Sequence, residues 1–189
     1  MSGAKQAMRI AARAAVSAIG SDARTAASTR LCEALWADDG LLRASCDHGR
    51  ILMAYMPLPD EIDPTAAMQR WLDAGGRLAV PVTDWAGCTM DAAEVTSLDA
   101  AVFDAGPHGI HEPRDRALLP ADAIAVALVP GLAFDAAGGR LGRGAGFYDR
   151  FLPRVSAACV VIGVCHTEQL METVPQNALD RRVACVVAV

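Results

Sequence analysis

The chain has 189 residues, 53% of them hydrophobic and 5% aromatic, with a formal net charge of −5. That is the composition of a folded globular protein with a substantial core, and a single domain over residues 1–189 is expected. The acidic balance excludes a broadly nucleic-acid-binding surface, and no apolar run approaches the ~20 residues that cross a membrane, so any anion site must be built locally.

Ala4–Ile19 is expected to be a helix, because Met8, Ala12, Ala15 and Ile19 recur at helical spacing. Lys5, Arg9 and Arg13 follow at i, i+4 and i+8 as a basic stripe, whose usual explanation is a solvated face. Ser21–Trp36 reads as a second helix with Leu31 and Leu35 inward; residues 38–47 carry no recognisable chemistry, and His48 reads as a surface turn residue. Ile51–Met56 is an apolar run of strand length, of the kind a parallel sheet buries on both faces. Asp63 and Pro64 mark a helix start as N-cap and first helical residue. Met68, Trp71 and Leu72 supply its buried face, Gly75-Gly76 stop it, and Leu78–Val82 is the next strand. This β-α-β unit puts Glu61 in the loop after a strand's carboxyl end, where open α/β sheets bind ligands. A carboxylate there could also serve the helix cap or macrodipole.

Gly87–Leu98 is expected to hold an edge strand and polar turns. His108 and His111 sit three apart in a Gly/Pro loop without a third ligand, so a metal role is not assigned to them. Ala123–Val129 is a strand that stops at Pro130-Gly131. After a turn at Asp135–Gly139 comes Arg140-Leu141-Gly142-Arg143-Gly144-Ala145-Gly146, then a short helix over Phe147–Leu152. Alternating glycines let a ligand approach the backbone and permit positive φ. Consecutive N–H groups then make an anion-binding concavity with a helix start behind it, and Arg140 and Arg143 add forked donors suited to phosphate. The stretch lacks the Lys-Ser/Thr of a P-loop and the last glycine of a dinucleotide fingerprint. A solvated turn is the plain alternative; the tie of Arg-Gly-x-Gly to Tyr148-Asp149 favours a site. Cys159–Val164 and Val183–Val189 read as the last strands, and the alternation of strands with helices indicates an α/β domain on a mainly parallel sheet. The six cysteines form no C-x-x-C and have no histidine at zinc spacing, so they read as reduced thiols of a cytoplasmic protein; adjacent Cys165 and His166 read as core packing.

The string Arg140-Leu141-Gly142-Arg143-Gly144-x-Gly146-x-Tyr148-Asp149, preceded by Pro130 and Phe134-Asp135, resembles the signature of the 5-formyltetrahydrofolate cyclo-ligases, or methenyltetrahydrofolate synthetases. Weaker echoes run from Lys5 to Asp180. They include Pro-x-x-Asp60-Glu61-Ile62 and Gly109-Ile110-x-Glu112-Pro113, where Glu112 faces substrate or merely fixes the loop. The resemblance implies a three-layer α/β/α fold shared with sugar-phosphate isomerases and CoA transferases. It implies small-molecule substrates, 5-formyltetrahydrofolate and ATP, with Mg²⁺ as cofactor; a monomer without nucleic-acid or membrane partners is expected. The implied ATP site comprises Lys5, Arg9, Arg140, Leu141, Gly142, Arg143, Gly144, Ala145, Gly146, Phe147 and Tyr148, with Arg140 and Arg143 catalytic. Met56, Glu61, Phe147 and Tyr148 would contact the folate, and Asp149 with Asp180 would support the metal.

Three positions depart from the pattern: Leu179 stands where histidine is usual, Phe147 where tyrosine is common, and Ala145 where lysine or glycine is common. They leave room for an ATP-using relative acting on another formamide, or for a non-catalytic folate- or nucleotide-binding module. The first thirty residues, rich in Ala, Arg and Ser with Asp22 the single acid, have the look of a transit peptide. Because Lys5 and Arg9 match the family's opening Lys-x-x-x-Arg, a structural helix is expected instead.

Overall fold

The computed structural model describes residues 2–189. Helix α1 spans Ser2–Ser17 and α2 spans Ser21–Trp36. The apolar stripe of α1 packs as its spacing implies: Ala12 and Val16 are buried, and Met8 is half-buried. Ala12 meets Leu132, Ala133, Leu141 and Val174, so the helix lies against the chain around the glycine loop. A short α3, Leu41–Ser45, leads to strand β1, Ile51–Met53. β1 is shorter than its apolar run. The Ala54 N–H still bonds Ala79 at 3.0 Å, but Pro57 brings no ladder donor and the chain leaves the sheet.

Helix α4, Thr65–Asp73, starts one residue later than its Asp-Pro signal suggests. Pro64, at ψ 0°, takes the capping position and accepts the first intrahelical bond from Met68. Asp63 still caps, accepting the Thr65 N–H at 2.8 Å. Trp71 is fully buried, and its Nε1 donates to the Arg77 carbonyl at 3.0 Å. Gly76 permits this approach, since a Cβ there would lie 2.2 Å from Trp71 Nε1.

Then come β2, Arg77–Asp84, and β3, Thr89–Val95, joined as an antiparallel hairpin from Leu78↔Val95 to Asp84↔Thr89. A small ribbon of β4, Phe103–Ala105, and β5, His111–Pro113, precedes β6, Leu118–Leu119. β3 is therefore not the edge strand that its polar turns suggest: β6 pairs outside it through two residues, which keeps the exposed edge short. After β7, Ile124–Val129, the ribbon β8, Ala133–Phe134, with β9, Arg140–Leu141, presents the glycine loop. Helix α5, Phe147–Phe151, follows, then β10, Val160–Cys165, and β11, Cys185–Ala188. The last strand begins later than Val183, because that residue turns aside: its N–H bonds Gly138 at 2.9 Å and its side chain is buried.

The main sheet has the order β11-β10-β7-β1-β2-β3-β6, and its first five strands are parallel. Along β1 and its neighbours alternate residues face opposite sides. Leu52, Leu78, Val126 and Ile162 pack with Leu31, Trp36, Met68 and Trp71 of α2 and α4. Ile51, Met53, Ala79 and Ala127 face the other way, onto Phe134, Phe151 and Leu152. The sheet is thus covered on both faces, the second by a thin layer built from the short α5 and the ribbon turn. The chain leaves β1 for β2 on one side and returns to β7 on the other. The strand order reverses there, and an open crevice forms at such a point, at the carboxyl ends.

Candidate active site

A cleft of about 750 Å³ opens where the loops after β1 and β7 diverge. The loop after β1 brings Met56, Leu58 and Glu61 to one wall, and Pro130-Gly131 begin the opposite one. α1 lies across one end and contributes Lys5 and Arg9, while the segment Asn177–Arg181 closes the rim beside it. Every residue that the sequence pattern assigns to ATP, folate or metal borders this cleft: Lys5, Arg9, Met56, Glu61, the run Arg140–Asp149, and Asp180. Arg13 does not; it is exposed, as a solvated face requires. Glu112 is also outside. Its Oε1 accepts the Thr83 N–H at 2.8 Å and the Thr83 hydroxyl, and its Oε2 meets Arg116 at 3.0 Å, so it ties β5 to β2.

The cations are held in different ways. Lys5 pairs with Asp180, and Arg9 Nε donates to the Gly142 carbonyl at 3.1 Å. Arg140 is only 4% exposed; its Nη2 donates to Asp149 at 2.8 Å and its Nη1 to the Pro130 carbonyl at 3.3 Å. Its Nε is buried without a partner, and its guanidinium sits 5.3 Å from the Tyr148 ring centroid. Arg143 instead crosses the cleft, donating from Nε to Glu61 at 3.0 Å and from Nη2 to Asp60 at 2.6 Å. Two arginines that look equivalent in the sequence are thus one buried pillar and one bridge.

Between them runs the glycine loop. Gly144 and Gly146 take φ of 121° and 74°, and the amides of Gly142–Gly146 lie past the β9 ladder and ahead of α5. The arrangement is an N–H-rich concavity with arginines beside it, suited to an anionic group. Arg150 braces the loop by donating to Ala145 at 2.5 Å and to Cys88 at 2.6 Å. A side chain at 146 would meet that guanidinium at 2.8 Å.

The aromatic wall is Phe147 and Tyr148 from α5 with Trp85 from the β2–β3 turn. Trp85 meets Phe147 edge-on at 4.9 Å and packs against His108 at 4.3 Å. Burial, reinforced by the Glu61 carboxylate, raises the Tyr148 phenol well above its ordinary value despite Arg140, so the hydroxyl stays neutral. Burial also raises the Glu61 carboxyl from its ordinary value, against the opposing pull of Arg143 and the Leu58 N–H. Tyr55, whose hydroxyl bonds the Ile62 carbonyl at 2.7 Å, and Trp85 and Asn177 are cleft residues that no motif marks, while Leu179, the departure from the usual histidine, lines the cleft beside Asp180. Tyr55 had a readable signal in its place beside Met56; Trp85 had none beyond being a tryptophan in a polar turn.

The two aspartates have the donor chemistry to hold a magnesium ion, should one enter with a phosphate group. Asp149 Oδ1 is engaged by Arg140 and, at 3.2 Å, by the Arg181 N–H; Asp180 Oδ2 is engaged by Lys5 and, at 2.5 Å, by the Asn177 N–H. None of the described residues bonds the second oxygen of either carboxylate. Among the described residues no cluster of three or more His, Cys, Asp or Glu gathers to cage a metal, and magnesium needs none when phosphates and waters fill its octahedron. No helix among the described residues is long and apolar enough to cross a membrane.

A mixed α/β fold with a mostly parallel sheet, and a cationic, aromatic-walled cleft at its strand reversal, define a small-molecule enzyme of the α/β class. The chain belongs to the 5-formyltetrahydrofolate cyclo-ligase family, whose model matches residues 1–189. It is 36% identical over 137 residues to the 5-formyltetrahydrofolate cyclo-ligase of Mycolicibacterium smegmatis, covering 70% of each chain. To that of Mus musculus it is 27% identical over 143 residues, covering 68% of each. The solution structure of Aquifex aeolicus 5,10-methenyltetrahydrofolate synthetase superposes with a TM-score of 0.80 at 27% identity, covering 97% of this chain and 89% of that one. A Mycoplasma pneumoniae 5,10-methenyltetrahydrofolate synthetase shares the fold, with a TM-score of 0.75 at 17% identity and 96% coverage of both chains.

Proposed function

We propose that this enzyme converts 5-formyltetrahydrofolate and ATP into 5,10-methenyltetrahydrofolate, ADP and phosphate. The observation that carries the reading is the convergence, in one cleft, of phosphate-type donors (Lys5, Arg9, Arg143 and the Gly142–Gly146 amides) with a wall suited to a flat ring (Met56, Trp85, Phe147 and Tyr148). The relatives are named for their folate substrate and its methenyl product, which supports the reading of the ring to be closed.

The chemistry asks little of the protein in the way of a nucleophile. A formamide carbonyl is a poor electrophile, and its oxygen a poor leaving group. In the proposed sequence the formyl oxygen takes the γ-phosphoryl and ADP departs. N10 of the folate then attacks the activated carbon and gives up its proton, and phosphate leaves as the methenyl bridge closes. Catalysis is positioning and charge neutralisation. Lys5 and Arg9 hold the outer phosphates, and the amides of Gly142–Gly146 with Arg143 face the transferring phosphoryl. Glu61, with Oε1 on Arg143 and Oε2 on the Leu58 N–H at 3.1 Å, has lone pairs left to accept N–H groups of the pterin. Asp149 and Asp180 would hold a magnesium ion, which when bound neutralises phosphate charge. Arg140 keeps Asp149 and the Tyr148 ring in place.

The test is turnover by the purified protein with 5-formyltetrahydrofolate and MgATP, following methenyl product by absorbance and ADP by a coupled assay. The reading requires both products in equal amounts. Formyl-dependent ADP release without methenyl product would instead point to a paralogue's chemistry, and tight folate binding without ADP would point to a binding module.

A further inference from the structure

Arg143 is held by two carboxylates that stand 83 and 82 positions away in the sequence, on the loop after β1 that forms the far wall of the cleft. Its Nε meets Glu61 and its Nη2 meets Asp60. These two nitrogens form one edge of the guanidinium fork, so that edge is filled by two separate residues instead of one bidentate carboxylate. The opposite edge, Nη1 with the second Nη2 hydrogen, keeps two parallel donors, a spacing that suits two oxygens of one phosphoryl group.

The arrangement solves a problem set by the loop. Arg143 stands on a chain whose neighbours Gly144 and Gly146 take positive φ, and its side chain is one-third exposed, so its own surroundings do little to orient the head. One bond to Glu61 would leave the guanidinium free to swing about that contact. The second bond, to Asp60, removes the swing. Glu61 is itself anchored through its other oxygen by the Leu58 N–H.

We infer that Asp60 is a positioning residue: it locks the plane of Arg143 so that the free edge of the guanidinium faces the transferring phosphoryl. This rests on the reading of the cleft as a site of phosphoryl transfer. Asp60 touches neither substrate in this scheme and acts only through Arg143.

Asp60→Asn and Asp60→Ala, assayed with 5-formyltetrahydrofolate and MgATP, are expected to lower kcat between about 10- and 100-fold, as misplacement of a catalytic group does. KM for the folate should stay within about twofold and the melting temperature should not move. In an Arg143→Lys background, where the ammonium has no fork to orient, adding Asp60→Asn should cost less than about twofold. A readout independent of turnover is solvent exchange of the Arg143 Nε–H, followed by ¹⁵N NMR. It should be slow in the wild-type protein, faster in Asp60→Asn, and still slow when a non-hydrolysable ATP analogue saturates the cleft. Wild-type kcat in Asp60→Asn, full additivity with Arg143→Lys, or loss of protection on nucleotide binding would each overturn the inference. If the wild-type protein fails to turn over, the reading of the cleft falls, while the exchange measurements still decide whether Asp60 orients Arg143 or competes with the nucleotide for it.

Discussion

Replacing Arg140 by methionine tests whether the buried pillar holds the cleft together. The substitution keeps most of the stem's volume, so a cavity adds little. What is lost is the charge-assisted bond to Asp149, about 1.5–3 kcal/mol, and the longer bond to the Pro130 carbonyl, about 0.5–1 kcal/mol. Asp149 is also stranded, with 23% of its side chain exposed and only the Arg181 N–H to turn to. Against this, the wild type carries a buried Nε with no partner, a cost of about 1–3 kcal/mol that methionine removes. These terms differ by about 1 kcal/mol, and the stranded Asp149 carboxylate adds about 1 kcal/mol, for a net destabilisation of about 2 kcal/mol. For a chain of this size that lowers the melting temperature by about 4–8 °C, measurable by circular dichroism. The double variant Arg140→Met/Asp149→Leu should recover about half of the loss, because the half-buried carboxylate stranded by the first substitution is gone. A single variant as stable as wild type, or a double variant less stable than the single, would refute this account of Arg140.

Arg143→Ala should leave the fold intact and reduce turnover on the order of 10²-fold, read as kcat in the coupled ADP assay. Asp135 offers a test of pH dependence. Burial alone would push its carboxyl up, but the N–H groups of Val174, Gly139 and Ala137, with Arg182, outweigh that and hold it below its ordinary value of 3.8. Its stabilisation is complete above the unfolded value and is lost as pH falls through the folded one, so urea stability should drop more steeply below about pH 5 in the wild type than in Asp135→Asn. Gly163→Ala should cost about 1–3 kcal/mol in urea denaturation, since the new methyl would lie 2.4 Å from the fully buried Phe134 ring.

What the sequence makes legible here is local. The glycine–arginine loop can be read because its donors lie on consecutive residues, and the β-α-β unit around Glu61 because one strand, one loop and one helix follow in order. The spacing of Lys5 and Arg9 shows a stripe on one helix face. That the stripe ends up beside Gly142 depends on small Ala12 letting α1 settle onto Leu132, Ala133 and Leu141, a fit that no local pattern encodes. The different fates of Arg140 and Arg143 are invisible for the same reason: burial of the first is made by the β8–β9 ribbon and α5 together, and the second is claimed by carboxylates on another loop. Trp85 escapes because a polar hairpin turn gives no hint of which wall it will join. Strand order, and with it the displacement of β3 from the edge, follows from long-range pairing that the apolar runs alone leave open.

The link between Lys5 and Asp180 joins positions 175 residues apart. Contacts of that span are among the last that a folding chain can afford to close, since ordering the intervening polypeptide must come first. Recovery of nucleotide affinity during refolding should therefore lag behind recovery of the sheet, and a nascent chain has no complete cleft until Asn177–Arg181 have been made. The cleft belongs to neither half of the polypeptide; it comes into being when the segments around Lys5 and Asp180 meet.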